Sequence, residues 1–156
     1  MEEDEPARLD NAPTIRECLD RDLDSVLEIE RECFRFPYDR ETFVRFLCSR
    51  SACFLVCVIG DAVVGYVVSD RRAGGVGSIV SIAVSPAHRR RGIGSMLLDS
   101  AIAELEDEVQ VIELQVAVSN CGAIDFYNKK GFKTIKVLRG YYPDGEDAYL
   151  MTLRPS

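Results

Sequence analysis

The chain has 156 residues, of which 47% are apolar and 29% charged, and it carries a net charge of −7 at pH 7. This composition is typical of a single globular domain, and the acidic balance argues against nucleic acid as the main partner. No apolar run reaches the length of a membrane span and no signal peptide opens the chain, so we expect a cytoplasmic protein that does not bind membranes.

The six cysteines and one histidine favour neither a metal site nor disulfides. No cysteine stands in a CxxC pair, so a zinc site is not expected. Without a secretion signal we expect reduced thiols. Residues 1–13 are acidic and interrupted by prolines, which predicts a disordered tail before one domain at residues 14–154.

Hydrophobic periodicity predicts the element order β-α-α-β-β-β-α-β-α-β-β. Strands are expected at residues 14–18, 53–59, 62–69, 78–84, 111–118, 132–138 and 148–153. Helices are expected at residues 22–34, 39–48, 92–106 and 120–130. Residues 71–77 are rich in glycine and predict a loop. The whole order predicts an α/β protein in which helices cover both faces of a mixed sheet.

The turn between strand 78–84 and helix 92–106 is the strongest functional signal in the chain. The first N–H groups of a helix have no intrahelical partner, and the helix dipole places partial positive charge there. Gly92 and Gly94 allow the backbone to approach a phosphate closely, and three arginines precede them. The pattern indicates an anion site, the plainer alternative being an arginine-rich helix start on a solvated face.

Two familiar phosphate motifs do not fit this turn. A Walker loop needs a lysine followed by Ser or Thr after its last glycine, whereas Ser95 and Met96 follow here. A dinucleotide fingerprint needs a third glycine. A nucleotide-binding fold is therefore disfavoured. The pattern Arg89-x-x-Gly92-x-Gly94 instead resembles the Q/R-x-x-G-x-G/A loop of the GNAT acetyltransferases, which holds the pyrophosphate of acetyl-coenzyme A.

From about residue 14 to residue 154 the chain resembles a GNAT-fold N-acetyltransferase. Within that superfamily it is most similar to the RimI group and to the related archaeal N-terminal acetyltransferases of proteins. Three segments carry the resemblance, namely residues 78–95, 118–132 and 140–151. The last, with Tyr-Tyr-x-Asp-Gly-Glu-Asp-Ala, is the most discriminating. The family fold implies a mostly antiparallel sheet of about seven strands, splayed between the fourth and fifth.

The resemblance also implies acetyl-CoA as cosubstrate and assigns its contacts. Backbone groups of Ile82, Ala83 and Val84 hold the pantetheine arm. Asn120 bonds the cofactor from the facing helix, and Tyr127 is the general acid for the departing thiolate. The pyrophosphate site consists of Arg89, Arg90, Arg91, Gly92, Ile93, Gly94 and Ser95. Residues expected to flank the substrate's first residues are Phe36, Tyr38, Tyr141 and Tyr142.

The general base departs from the family pattern. RimI-like enzymes place a glutamate where this chain has Gln115, and archaeal relatives often have a histidine where it has Ser78. Glu113 shares the face of Gln115 because side chains alternate along a strand. An α-amine has a pKa of about 8, so a fraction is already neutral at pH 7 and the base need not be strong. Glu113 or ordered water are both candidates.

The leading interpretation is transfer of acetyl to the N-terminal α-amine of proteins, ribosomal proteins among them, by direct attack of the amine. One alternative is a GNAT enzyme that acts on a small amine or a lysine side chain. The other is a binding module that holds acyl-CoA without catalysis, which the absent glutamate and histidine keep open. We expect protein or peptide N-termini as partners and a monomer or weak oligomer.

Overall fold

The computed structural model describes residues 12–155, and residues 1–11 of the predicted tail lie outside that part. Seven strands and four α-helices follow one another in the predicted order. They are β1 (Thr14–Glu17), α1 (Leu23–Cys33), α2 (Arg40–Cys48), β2 (Ala52–Ile59), β3 (Ala62–Arg72), β4 (Val76–Val84), α3 (Ile93–Leu105), β5 (Val111–Ala117), α4 (Cys121–Lys129), β6 (Lys133–Leu138) and β7 (Ala148–Leu153). No helix of this described part is long and apolar enough to cross a membrane.

All seven strands form one sheet in the order β1-β2-β3-β4-β5-β7-β6. Each neighbouring pair is antiparallel except β4 and β5. Side chains of β2 alternate between two cores: Leu55 packs with α3, whereas Phe54 and Val56 pack with α1 and α2. Helices therefore cover both faces of the sheet, which confirms the predicted mixed α/β class.

The prediction of a loop at residues 71–77 was wrong. β3 continues to Arg72 and β4 begins at Val76, and these two residues face each other at the end of the hairpin. Arg71 pairs with Gly77 in the same ladder. Charged and glycine residues have low strand propensity, but a hairpin ladder satisfies their backbone groups regardless of side chain. The predicted bounds outside this hairpin differ from the observed ones by at most one residue.

The parallel pair β4–β5 is only three residues deep. Val76, Gly77 and Ser78 face Val111, Ile112 and Glu113, and no later residue of β4 pairs with β5. The β3–β4 register shifts beside this point, which leaves Val80 as an extra residue on β4. A bulge of this kind bends a strand and increases its twist. The fourth and fifth strands therefore part, which confirms the predicted splay.

Helix α3 lies against β3 and β4 at a place where only glycine fits. A Cβ built on Gly65 would lie 3.0 Å from the carbonyl oxygen of Ala83 and 3.0 Å from a methyl group of Leu97. Gly65 faces Val84 across the ladder, at the end of the strand that leads into the arginine-rich turn. The absence of a side chain at this position thus sets how closely α3 approaches the sheet.

We expect the substitution Gly65→Ala to lower the free energy of unfolding by about 1–3 kcal/mol, because the new methyl group overpacks a closed contact. Gly122→Ala is the matched control, since Gly122 lies in α4 and a Cβ built on it would meet no atom within 4 Å. Alanine there should be neutral or slightly stabilising. Urea unfolding of both variants measures the difference, and equal stabilities would contradict the close-contact explanation.

Candidate active site

Within the described residues, the first backbone N–H groups of α3 have no hydrogen-bond partner. The first intrahelical bond runs from the Met96 N–H to the Gly92 carbonyl oxygen at 3.0 Å. The N–H groups of Ile93, Gly94 and Ser95 precede that bond, and no side chain caps the helix. Three uncapped amides at the positive end of a 13-residue helix are suited to a phosphate group. This geometry supports the predicted anion site, which stays a prediction.

The two glycines of this turn serve different purposes. Gly92 has φ +76°, a left-handed conformation that glycine adopts without strain. Gly94 has ordinary backbone geometry, and a Cβ built on it would meet only normal contacts, 3.8 Å from Phe126 and 3.8 Å from Val84. The fold itself would accept a side chain at position 94. Packing within the protein thus does not require glycine at position 94, and the approach of a ligand to the first turn of α3 stays a prediction of the resemblance.

The three arginines of the turn separate into two groups. Arg90 and Arg91 are exposed beside the amides, and Arg90 itself has φ +66°, which helps to curl the backbone around one point. The guanidinium of Arg89 turns back instead and donates to the Val84 carbonyl oxygen at 3.3 Å and to Cys33 Sγ at 3.2 Å. Arg89 therefore fixes the turn to the end of β4, while its neighbours supply free charge.

The strand edge that faces the gap is available for a ligand. Beyond Ser78, β4 pairs with β3 through Ile82, Ala83 and Val84 but has no partner on the β5 side. Alternate backbone groups of this stretch are thus free to bond an extended chain lying in the gap. This is the position that the resemblance assigns to the pantetheine arm, and its contacts stay a prediction.

Tyr127 lies on α4, a helix whose two ends are both fixed by hydrogen bonds. At the start of α4, the Asn120 side chain accepts from the Ala123 N–H at 3.2 Å, so Asn120 is the N-cap. At its end, the Tyr127 carbonyl accepts the N–H groups of Lys130 and Phe132. The ring packs edge-on against Phe132 with centroids 5.8 Å apart. These contacts hold the Tyr127 side chain in one position, 8% exposed.

The environment keeps the Tyr127 phenol protonated. Burial, with a smaller contribution from Tyr142, raises the pKa of Tyr127 to about 12. Burial likewise raises the pKa of Tyr142 to about 12, with contributions from Tyr141, Glu146 and Tyr38. Both hydroxyls are therefore proton donors at neutral pH. The contribution of Tyr142 to the pKa of Tyr127 also indicates that the two residues are neighbours.

The residues predicted to flank the substrate gather on one surface. Phe36, Tyr38 and Tyr141 are 41%, 43% and 49% exposed, which is unusual for large apolar side chains. The rings of Tyr141 and Tyr142 are perpendicular, with centroids 5.0 Å apart. Phe36 and Tyr38 lie in the turn between α1 and α2, and the other two in the loop between β6 and β7. We call the cleft between these two segments the aromatic groove.

Arg35 joins the two sides of the aromatic groove, a contact that sequence analysis did not find. Its Nη2 lies 2.9 Å from Asp144 and 3.0 Å from Glu146. Glu146 also accepts the Ser119 N–H at 3.1 Å, just before α4. Acidic residues of the β6–β7 loop thus connect three segments of the chain. Their partner is 111 residues away from Glu146 in the chain, so no local pattern could indicate it.

The base candidates occupy the closed end of the gap. Glu113 faces Ser78 in the last paired position of β4 and β5, and it forms an ion pair with Arg72 at 3.1 Å. Gln115 lies two residues further towards the open end and faces Leu150 of β7. Both are partly buried. The Glu113 carboxylate is thus paired with Arg72, and the next residue on the same face of β5, Gln115, carries a neutral amide.

Comparison with known proteins agrees with this geometry. Residues 23–132 match the acetyltransferase (GNAT) family, and the chain belongs to that family. The N-alpha-acetyltransferase of Saccharolobus solfataricus is 36% identical over 151 residues, covering 88% of this chain and 90% of that protein.

Two further relatives point the same way. The [ribosomal protein bS18]-alanine N-acetyltransferase of Escherichia coli is 34% identical over 147 residues, 90% of this chain and 96% of that protein. The crystal structure of Ard1 from Thermoplasma volcanium superposes with a TM-score of 0.87 at 30% identity, covering 93% of this chain and 99% of that one. The GNAT resemblance drawn from the three sequence segments is thereby confirmed.

The two roles of the glycines lead to a test of the anion site. We expect Gly94→Ala to leave the melting temperature unchanged, because its Cβ meets only contacts of 3.8 Å, but to weaken acetyl-CoA binding about tenfold or more by blocking close approach. Isothermal titration calorimetry measures the affinity. Gly122→Ala serves again as the control, and a Gly94→Ala protein that binds acetyl-CoA like wild type would show that no ligand approaches there.

Proposed function

We propose that this protein transfers the acetyl group of acetyl-CoA to the N-terminal α-amine of proteins. One observation carries the proposal: Tyr38 of the α1–α2 turn lies beside Tyr141 and Tyr142 of the β6–β7 loop, and Tyr142 neighbours the buried Tyr127. Such a groove admits an extended chain end, whereas a small amine needs no walls outside the gap. The names of the archaeal and Escherichia coli relatives support the same reaction class.

Acetyl-CoA supplies the acetyl thioester, and the residues of this chain bind, orient and exchange protons around it. The amides of Ile93, Gly94 and Ser95 would hold its pyrophosphate, with Arg90 and Arg91 adding charge. The free edge of β4 would hold its arm and polarise the carbonyl. Tyr127 would donate its phenolic proton to the sulfur as the C–S bond breaks.

The substrate ammonium must lose a proton before its nitrogen attacks the carbonyl carbon. We propose that ordered water, rather than Glu113, accepts that proton. The Glu113 carboxylate is engaged by Arg72 and lies where β4 and β5 are still paired, away from the open end that the groove reaches. Water is sufficient because an α-amine with a pKa of about 8 is partly neutral at pH 7.

Other partner assignments rest on composition. The net charge of −7 supports a protein that does not bind nucleic acid as its main partner. A monomer or weak oligomer, a cytoplasmic location and the choice among N-terminal residues, ribosomal proteins included, remain part of this proposal.

A peptide panel tests the function directly. We expect release of coenzyme A with peptides that begin with Ala, Ser, Met-Leu or Met-Glu, and none with the same peptides blocked at the N-terminus. Spermidine and a blocked peptide with an internal lysine are the controls, measured by thiol detection. Turnover only on the controls would move the protein to the small-amine or lysine class. Acetyl-CoA binding without any turnover would make it an acyl-CoA-binding module.

The raised pKa of Tyr127 predicts the shape of the pH profile. A phenol with a pKa of about 12 is a proton donor at every pH below that value, so no alkaline loss is expected up to about pH 10. The value of kcat/KM should rise as the substrate amine loses its proton near pH 8 and then stay level. Tyr127→Phe should lower kcat about 100-fold.

Glu113→Gln is the companion variant for this profile. If water takes the proton, its acidic limb should coincide with that of wild type and kcat should fall by less than about threefold. A displaced limb would assign the base to Glu113. An alkaline descending limb in the wild-type protein that disappears in Tyr127→Phe would contradict the raised pKa.

A further inference from the structure

Glu30 is a buried carboxylate that the reaction described above does not use. It lies in the last turn of α1 and is only 2% exposed. Its Oε1 accepts hydrogen bonds from the Tyr66 hydroxyl and from Ser81 Oγ, the latter at 3.0 Å. Its Oε2 accepts the backbone N–H of Tyr38 at 2.9 Å. The three donors come from β3, β4 and the turn between α1 and α2.

No cation balances this carboxylate within the described residues, where the ion pairs engage other acids. Burying an acidic group is unfavourable unless hydrogen bonds replace its hydration, and an apolar residue would fill the same space without that penalty. The surrounding side chains are apolar and aromatic, with Phe43 packed on Tyr66 at a centroid distance of 5.7 Å. Packing alone therefore does not explain a glutamate here.

The hydrogen bond from the Tyr38 N–H to Glu30 is important for the α1–α2 turn, because few other contacts hold this turn in place. Phe36 and Tyr38 form one side of the aromatic groove, yet in the described structure residues 35–38 form no other backbone hydrogen bond to the body of the protein. Arg35 holds the same turn only through exposed ion pairs, which contribute little. Glu30 is the buried anchor of this side of the groove.

The other oxygen of Glu30 reaches the strand at the gap. Ser81 immediately precedes Ile82, the first residue of the stretch assigned to the pantetheine arm, and its hydroxyl also lies 3.0 Å from the Tyr66 hydroxyl. One carboxylate thus connects the wall of the groove to the strand at which acetyl transfer is proposed. A shift of the turn relative to β4 would move the amine away from the acetyl carbon, and small misplacements of this kind lower the rate strongly.

We propose that Glu30 is a positioning residue that holds the α1–α2 turn in register with β4 and thereby sets the affinity for the substrate N-terminus. This inference rests on the proposed function for its kinetic consequences. The hydrogen bond to the Tyr38 N–H is what matters, not the negative charge, because a backbone N–H can only donate and needs an acceptor at this point.

Two substitutions separate the bond from the charge. In Glu30→Gln the amide oxygen can accept from Tyr38 while its NH2 group faces the hydroxyls of Tyr66 and Ser81, which can accept. Glu30→Met has similar length and no acceptor of comparable strength. We expect the peptide KM to rise at least about tenfold in Glu30→Met and less than about threefold in Glu30→Gln. The KM for acetyl-CoA should stay within about twofold of wild type in both.

Asp22→Ala is the matched control. Asp22 is also a buried carboxylate, 5% exposed, that accepts from Arg16 and from the Leu19 N–H, but it lies about 12 Å away along α1. The Asp22→Ala substitution should lower the melting temperature without changing the peptide KM. If Glu30→Met does not fold, Tyr66→Phe and Ser81→Ala can be added to it, which removes the two buried hydroxyls that have lost their acceptor. This triple variant should show the same rise in peptide KM.

Amide hydrogen exchange provides a readout that needs no substrate. Exchange at Tyr38 should accelerate at least about tenfold in Glu30→Met and stay near wild type in Glu30→Gln. A wild-type protein inactive on every peptide would refute the proposed function and leave this readout intact. Unchanged peptide KM and unchanged Tyr38 exchange in Glu30→Met would overturn the inference. Equal effects of Met and Gln would overturn it too, since charge would then be responsible.

Discussion

The proposed site depends on the short pairing between β4 and β5. Three residues of each strand form a parallel ladder that ends at Ser78 and Glu113, and beyond it the two strands are held from outside, β4 by β3 and β5 by β7. The gap is therefore a property of the sheet and does not need a ligand to open it. Backbone groups along its edge lack a protein partner, and a bound chain can provide one.

The residues proposed for cofactor binding and catalysis are arranged around that gap. The end of β4 leads through the arginine-rich turn into α3, whose uncapped amides lie at its mouth. Gly65 lets α3 pack closely on β3 and β4, which fixes where those amides point. Helix α4 is fixed at both ends and carries Tyr127, and its Phe126 lies close to Gly94 of α3. That both helices face the cofactor stays a prediction of the family resemblance.

Sequence analysis found what local pattern encodes. The element order and the two-sided sheet follow from periodicity within short segments, and the family resemblance follows from three short motifs. It failed where partners are distant in the chain. The ladder that extends β3 to Arg72 depends on β4, and Glu30 looks like one more charged residue beside Ile29 in a helical pattern. Its burial depends on Tyr66 and Ser81, which are 36 and 51 residues away.

The two anchors of the α1–α2 turn differ in strength, and that difference matters for a groove that must admit a chain end. The Glu30 carboxylate is 2% exposed and its bond to the Tyr38 N–H is part-buried, so water and salt compete with that bond less than with an exposed pair. The Arg35 pairs to Asp144 and Glu146 are exposed, with the Arg35 side chain 65% accessible, and pairs of this kind are worth about 0–1 kcal/mol and weaken with salt. The turn is consequently held from inside while its outer contact is easily broken. Loss of the Arg35 pairs would therefore leave the hydrogen bond that holds the Tyr38 backbone to Glu30.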